Sequence, residues 1–122
     1  MRRGTRYCVL LVTAPDLKVA RRIARGLLDA RLAACATLLP AVESHYWWQG
    51  RQEQGREVLL LIKTERRRLP ALESMILAIH PYDTPEILAL PVHSGLERYL
   101  NWISSSVAPP TRAPRKPSTA RR

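Results

Sequence analysis

The chain of 122 residues contains no phenylalanine, only five glycines and only two cysteines. Cys8 and Cys35 are too few for a disulfide framework, and they do not form the closely spaced pair of a zinc site. Long apolar runs are missing as well, since Val58–Ile62 is far shorter than the roughly 18 to 20 residues that span a bilayer. These absences exclude a disulfide scaffold and a transmembrane helix. We expect reduced thiols, a cytoplasmic chain and no membrane contact.

Acidic residues are half as frequent as basic ones, 10 against 20, which gives a formal net charge of +10. The excess lies at the ends, because residues 1–6 hold three arginines and residues 108–122 hold four arginines, one lysine and no acid. Residues 7–107 keep 12 basic and 10 acidic residues, a net of +2. We therefore expect nucleic acid to be bound at most weakly, through the basic tail.

Three segments are predicted from this composition. Residues 1–6 form a basic N-terminal end, and residues 7–107 form one globular domain. Residues 108–122 hold four prolines and no Leu, Ile, Val, Met or aromatic residue, so they lack the apolar surface that offsets the entropy of ordering. We predict that this segment is a disordered tail.

Hydrophobic periodicity in the domain predicts the order strand, helix, strand, strand, helix, strand, helix. The strands are predicted at Tyr7–Val12, Ala33–Trp48, Val58–Thr64 and Ile87–Val92, and the helices begin near Leu17, Leu69 and Leu96. Pro81 is expected to end the second helix near His80, and Pro40 to mark a bend or bulge.

Turn and cap signals add detail to these elements. Gly50–Gly55 is expected to turn the hairpin between the second and third strands. Thr13 to Asp16 offers a capping box for the first helix, and Ser94 to Glu97 offers one for the last.

The predicted order is that of a ferredoxin-like α+β sandwich, βαββαβ, with an extra C-terminal helix. Two helices would cover one face of the antiparallel sheet. Tyr7–Val12 and Val58–Ile62 are apolar at nearly every position, whereas a strand with one solvated face alternates. We infer a homo-oligomer in which sheets pack together and the long hairpin pairs with a neighbour. The alternative is that irregular loops bury both faces of these strands.

The densest group of polar side chains is in His80–Ile87, where Pro81 and Pro85 stiffen the backbone. Imidazole and thiolate suit copper and zinc, and a carboxylate completes a mixed ligand set. The loop therefore fits a binding site, but its spacing is not a metal signature, and the favoured interpretation is a structural loop whose histidine and tyrosine bond to the backbone. Cys35 has small apolar neighbours, which favour a buried strand position and an unreactive thiol.

Three consecutive aromatic residues, Tyr46, Trp47 and Trp48, are predicted near the hairpin tip. Beside Arg51 and Arg56 they could stack on bases, but Trp, Tyr and Arg also dominate oligomer contacts, and we favour an interface. The sequence shows no phosphate-binding loop and no assembled nucleophile, base and orienting group. It therefore does not predict an enzyme.

Six segments together resemble, in order and spacing, the CutA divalent-cation tolerance proteins. They are Thr13–Asp16, Leu32–Thr37, Ser44–Gly50, Glu57–Thr64, His80–Glu86 and Tyr99–Trp102. The resemblance covers essentially all of residues 7–107. It implies a ferredoxin-like fold related to the PII signalling proteins, a cytoplasmic homotrimer, and tolerance or binding of divalent metal ions such as copper or zinc. It implies no required cofactor and no established catalysis.

The resemblance also implies site residues. The metal candidates are His80, Cys35 and Glu86, and the cleft or interface candidates are Tyr46, Trp48, Tyr82 and Trp102. The alternative function is a PII-like module that holds a small anionic ligand or a partner protein at clefts between subunits.

Overall fold

Strands and helices follow one another in the predicted order in residues 2–3 and 6–109, the part of the chain that the computed structural model describes. In chain order they are β1 (Arg2–Arg3), β2 (Tyr7–Ala14), α1 (Leu17–Asp29), β3 (Cys35–Trp48), β4 (Arg51–Glu65), α2 (Leu69–Ile79), β5 (Ile87–Pro91), β6 (Ser94–Gly95) and α3 (Glu97–Val107). The predicted disordered tail is residues 108–122, and all of it from residue 110 onward lies outside the described part.

Four strands form one antiparallel sheet in the order β3, β4, β2, β5. The central strand β2 pairs with β4 along its whole length and with β5 from Cys8 to Val12. This strand order and the two helices between the strands give the ferredoxin-like α+β fold. A short ribbon of β1 and β6, for which the sequence analysis assigned no strands, is added to the sheet domain.

Helices α1 and α2 bury one face of the sheet. Alternate residues of β2 and β4 point to this face, because the side-chain period of a strand is two. The fully buried residues of this core are Leu10, Val12, Ala14, Ala20, Ile23, Leu27, Leu60, Ile62, Leu72 and Ile76. The helix face therefore holds the main core, as the periodicity predicts.

The second face of the sheet is apolar and only partly covered. Helix α3 packs over one end of it, where Tyr7, Leu100 and Ile103 form a separate buried cluster. Further along, Leu88 and Leu90 of β5 remain 54% and 48% exposed. Helix α3 therefore does not cover the whole of this face. Among the described residues, no helix is both long enough and apolar enough to cross a membrane.

Both predicted capping boxes are wrong, because strand pairing takes up the residues that would cap. Thr13 lies within β2 opposite Leu59, and the side chain of Asp16 caps α1 by accepting a hydrogen bond from the backbone N of Val19 at 2.9 Å. Ser94 pairs with β1, so α3 begins without a side-chain cap.

The hairpin between β3 and β4 turns at Gln49–Gly50 and not across Gly50–Gly55 as predicted. Both turn residues have positive φ, 50° for Gln49 and 75° for Gly50, as a two-residue hairpin turn that follows the strand twist requires. Gly55 lies inside β4, opposite Ser44. The bulge predicted at Pro40 is confirmed, since the register shifts between Leu39 and Val42.

A buried carboxylate fastens α3 to the sheet. The side chain of Glu65 is 4% exposed and lies 3.1 Å from Nε of Arg6 and 2.7 Å from Nε of Arg67. Ser104 of α3 donates a hydrogen bond to it at 2.8 Å. Burial by itself raises the pKa of Glu65, but the bonds from Arg67 and Ser104 and the charges of Arg67 and Arg6 outweigh it and hold the pKa below its usual range.

We expect Glu65→Gln to lower the free energy of unfolding by about 1–3 kcal/mol near neutral pH, because charged hydrogen bonds are lost. A carboxyl whose pKa is lower in the folded state stabilises the fold above its ordinary pKa, and this contribution is lost as the pH falls through the folded value. The difference between the two proteins should therefore shrink in acid, as measured by urea unfolding. The exposed Glu73→Gln is the matched control, and an equal loss in both variants would contradict the role of Glu65.

A second prediction concerns the hairpin turn. Glutamine is strained at positive φ, whereas asparagine tolerates the left-handed region. Gln49→Asn should therefore stabilise the protein by about 0.5–1 kcal/mol in thermal unfolding. Gln52→Asn, in β4 opposite Trp47, should bring no gain. A gain of the same size at Gln52 would show that the turn conformation is not the cause.

Candidate functional site

His80 ends helix α2 and is 7% exposed. Its backbone is extended because the next residue is Pro81. The Nε2 atom lies 2.7 Å from the carbonyl O of Thr13, so it carries the proton and donates it. The Nδ1 atom accepts a hydrogen bond from the backbone N of Tyr82 at 3.1 Å. Both ring nitrogens are therefore engaged, and as a metal ligand His80 would have to give up one of these bonds.

The position of Tyr82 depends on its contacts with His80. The two rings pack with centroids 4.7 Å apart, and the phenol of Tyr82 donates to Oε2 of Glu57 at 3.1 Å. Partial burial, followed by the hydrogen bond and the charge of Glu57, raises the pKa of Tyr82 to about 12. The phenol is therefore protonated at neutral pH and bridges the loop to strand β4.

Glu57 and Glu86 are two of the carboxylates of this region, which also contains Asp83. Partial loss of hydration, followed by the negative charge of Glu57, raises the pKa of Glu86. Within the described residues, neither carboxylate is in an ion pair with a basic side chain. Two uncompensated acids therefore face the same space.

This space is a cleft of about 690 Å³ between the β3–β4 hairpin and the loop 80–86. We call it the hairpin–loop cleft. The lining residues that matter for its chemistry are Ser44, His45, Tyr46, Trp48, Glu57, Tyr82, Asp83 and Glu86. Its walls thus combine aromatic rings with carboxylates. The sequence analysis named Tyr46, Trp48, Tyr82 and Glu86 among its site candidates, and the structure brings these four together.

Cys35 lies elsewhere. It begins β3 opposite Lys63, and its sulfur is 3.7 Å from Nζ of Lys63. Lys63 pairs with Val9, four residues along β2 from Thr13, so Cys35 is about 13 Å along the sheet from the anchor of His80. The thiol is half-buried and not fully buried as predicted.

The structure does not assemble the predicted metal set. Within residues 6–109, no group of three or more His, Cys, Asp and Glu side chains is placed to hold a metal ion. Both ring nitrogens of His80 bond to the backbone, and Cys35 lies near the other end of β2. Of these three residues, only Glu86 lines the hairpin–loop cleft.

Trp102 lies on α3, where its ring contacts Tyr99 at 5.3 Å between centroids and packs against the cluster around Tyr7. It therefore belongs to the docking of α3 and not to the hairpin–loop cleft.

Glu57 is a cleft residue that was not among the site candidates predicted from the sequence. It lies opposite Val42, just beyond the bulge at Pro40. The bulge lies in β3, and its extra residue decides which side chains of β3 share the face of Glu57. The available signal was a carboxylate at the border of the apolar run of β4, but the sequence does not show which side chains of the hairpin and the loop meet it.

Comparison with known proteins agrees with this architecture. The family model described as CutA1 divalent ion tolerance protein matches residues 8–106. The divalent-cation tolerance protein CutA of Pectobacterium atrosepticum is 50% identical over 99 residues, which are 81% of this chain and 90% of that protein.

Solved structures agree as well. The crystal structure of CutA from Xylella fastidiosa has a TM-score of 0.82 and 42% identity, over 84% of this chain and 99% of that one. The structure of the periplasmic divalent cation tolerance protein CutA from Archaeoglobus fulgidus has a TM-score of 0.81 and 36% identity, over the same shares of the two chains. The fold, the family model and these identities together show that the chain belongs to the CutA divalent-cation tolerance family.

Proposed function

We propose that this protein is a cytoplasmic homotrimer that binds divalent cations, copper among them, at the hairpin–loop cleft. One observation supports it above the others: Glu57 and Glu86 face one cleft without a basic partner among the described side chains. Like charges held together are stabilised by a cation between them. The general role in divalent-cation tolerance comes from the family, and the cleft is where this chain offers the charge for it.

The donors in the cleft decide which cations fit. Carboxylate and phenol oxygens suit hard divalent ions, whereas imidazole suits copper and zinc. His45 borders the cleft, with its Nε2 atom 2.7 Å from Oε2 of Glu43, and it would add a nitrogen donor. A site of this kind needs a movement of side chains, since no ready group of three donors is present in the described residues.

The same charges argue against the alternative ligand. A small anion in the hairpin–loop cleft would meet Glu57 and Glu86, which repel it. The groups in the cleft, carboxylates, phenols and indoles, are suited to holding a cation, and we propose binding and not catalysis.

The homotrimer is supported by the second face of the sheet. Val9, Leu11 and Leu61 lie there with the exposed Leu88 and Leu90 of β5. An apolar face of this kind is typical of contacts between subunits. The cytoplasmic location is supported by the two cysteines, which are both thiols.

We expect Glu86→Gln to weaken the binding of copper(II) and manganese(II) at least about tenfold in isothermal titration. Glu73→Gln, an exposed acid on α2, should leave the affinity unchanged. Cys35→Ser tests a candidate outside the cleft, and loss of binding in it would assign Cys35 to the metal, whereas loss in His80→Gln would also follow from release of the loop. Unchanged affinity in Glu86→Gln would move the metal site away from the cleft.

The homotrimer makes a separate prediction. Native mass spectrometry should find three chains of 13.9 kDa. Leu88→Glu places a charge on the apolar sheet face and should dissociate the assembly, because an unpaired charge in a buried contact is costly. Leu77→Glu, at a leucine that is 51% exposed on α2, is the matched control and should remain trimeric. A wild-type protein of one chain would refute the proposal.

A further inference from the structure

The hairpin–loop cleft contains more aromatic surface than a metal ion uses. Tyr46 and Trp48 extend from the hairpin and Tyr82 from the facing loop, and these side chains are 47%, 44% and 40% exposed. A small divalent ion is recognised by oxygen, nitrogen and sulfur donors and gains little from ring faces. Ring faces attract large, weakly hydrated cations, above all alkylated ammonium groups. The rings therefore point to an organic cation.

The shape of the cleft agrees with a ligand of several atoms. Its volume of about 690 Å³ is in the range of small-molecule sites, which measure roughly 300–1,000 Å³. Ser44 and Gly55 face each other across the two strands of the hairpin, next to the pair Tyr46 and Glu53. A Cβ atom at Gly55 would meet nothing within 4 Å, so the strands leave open space at this point. The ring of Tyr46 on the hairpin therefore lies next to open space.

The charges complete the site. Glu57 is fixed by the phenol of Tyr82 at 3.1 Å, and Glu86 lies on the same loop as Tyr82. The loop is itself held by His80, whose Nδ1 accepts from the backbone N of Tyr82. The fold therefore positions both acids in the same cleft as the aromatic rings.

We propose that the hairpin–loop cleft binds a small organic ammonium ion, with its nitrogen near Glu57 and Glu86 and its alkyl groups against Tyr46, Trp48 and Tyr82. This inference goes beyond the binding of metal ions and does not depend on it. The ligand class is a monovalent amine or quaternary ammonium compound of a few carbon atoms. Each half of such a ligand has a partner in the cleft, since carboxylates take the charge and rings take the apolar surface.

The first experiment compares two probes of the same shape. Choline chloride carries the quaternary nitrogen, and 3,3-dimethylbutan-1-ol has carbon in its place and no charge. The full chain is titrated with each in a buffer containing a chelator, so that no metal ion takes part. We expect choline to bind at least about tenfold more tightly, since only the charged probe gains from the acids and the ring faces. Equal affinity, or no binding of choline, would overturn the proposal.

The second experiment uses variants with matched controls. Glu86→Gln should weaken the binding of choline at least about fivefold, and Glu73→Gln should leave it unchanged. Trp48→Leu should cause a similar loss, whereas Trp48→Phe, which keeps an aromatic ring, should retain most of the affinity. All four substitutions are at exposed positions, so we expect the variants to fold, and circular dichroism checks this. The proposal requires both losses, and it is overturned if Glu86→Gln or Trp48→Leu binds as the wild type does.

The two proposals for the cleft fail separately. Copper titration without choline tests the metal, and choline titration with chelator tests the organic cation. Binding of copper without binding of choline would remove the organic ligand and keep the metal, and the reverse result would remove the metal. If both bind, choline should raise the apparent dissociation constant of copper, because the two cations share Glu57 and Glu86.

Discussion

The hydrogen bond from Nε2 of His80 to the carbonyl oxygen of Thr13, 2.7 Å long, is the contact on which the hairpin–loop cleft depends. It joins the residue that follows α2 to the end of the central strand β2. Because Pro81 forces the chain out of the helix immediately afterwards, the loop leaves from a fixed point in a fixed direction. The other ring nitrogen then holds the backbone of Tyr82. One neutral imidazole therefore sets the position of the whole loop relative to the sheet.

From this anchor, the position of the acidic groups follows by a chain of contacts. The ring of Tyr82 packs on His80, and its hydroxyl reaches Glu57 on the hairpin. Glu86 is brought close to Glu57, and partial burial followed by the charge of Glu57 raises the pKa of Glu86. Two carboxylates near each other cost free energy in the empty cleft, and a bound cation recovers it. The structural bonds of the loop thus place the negative charge on which the proposed cation binding depends.

The sequence predicted the elements well, because the periods of apolar residues in β2, β4, α1 and α2 agree with their burial. It predicted partners poorly, since a pattern of residue types does not show which groups meet. Gly50 and Gly55 looked alike as turn residues until the pairing of β4 with β3 placed Gly55 inside a strand. His80 was predicted as a metal donor from the family resemblance, whereas the residues of the loop by themselves favoured a structural role, and its bonds to Thr13 and Tyr82 agree with the latter. Glu57 was missed because the bulge in β3 and the packing of Tyr82 decide which side chains meet it.

Net charge is the feature most easily misread in this protein. A value of +10 favours anionic partners, but 8 of the 20 basic residues lie in residues 1–6 and 108–122. Charges on a protein surface are screened beyond about 8 Å at physiological ionic strength, so a ligand in a cleft responds to the groups that line it and little to distant arginines. In the hairpin–loop cleft these groups are Glu57, Asp83 and Glu86 beside aromatic rings. A basic protein can therefore present a site that selects cations, and the local arrangement, not the total charge, decides the sign of its ligand.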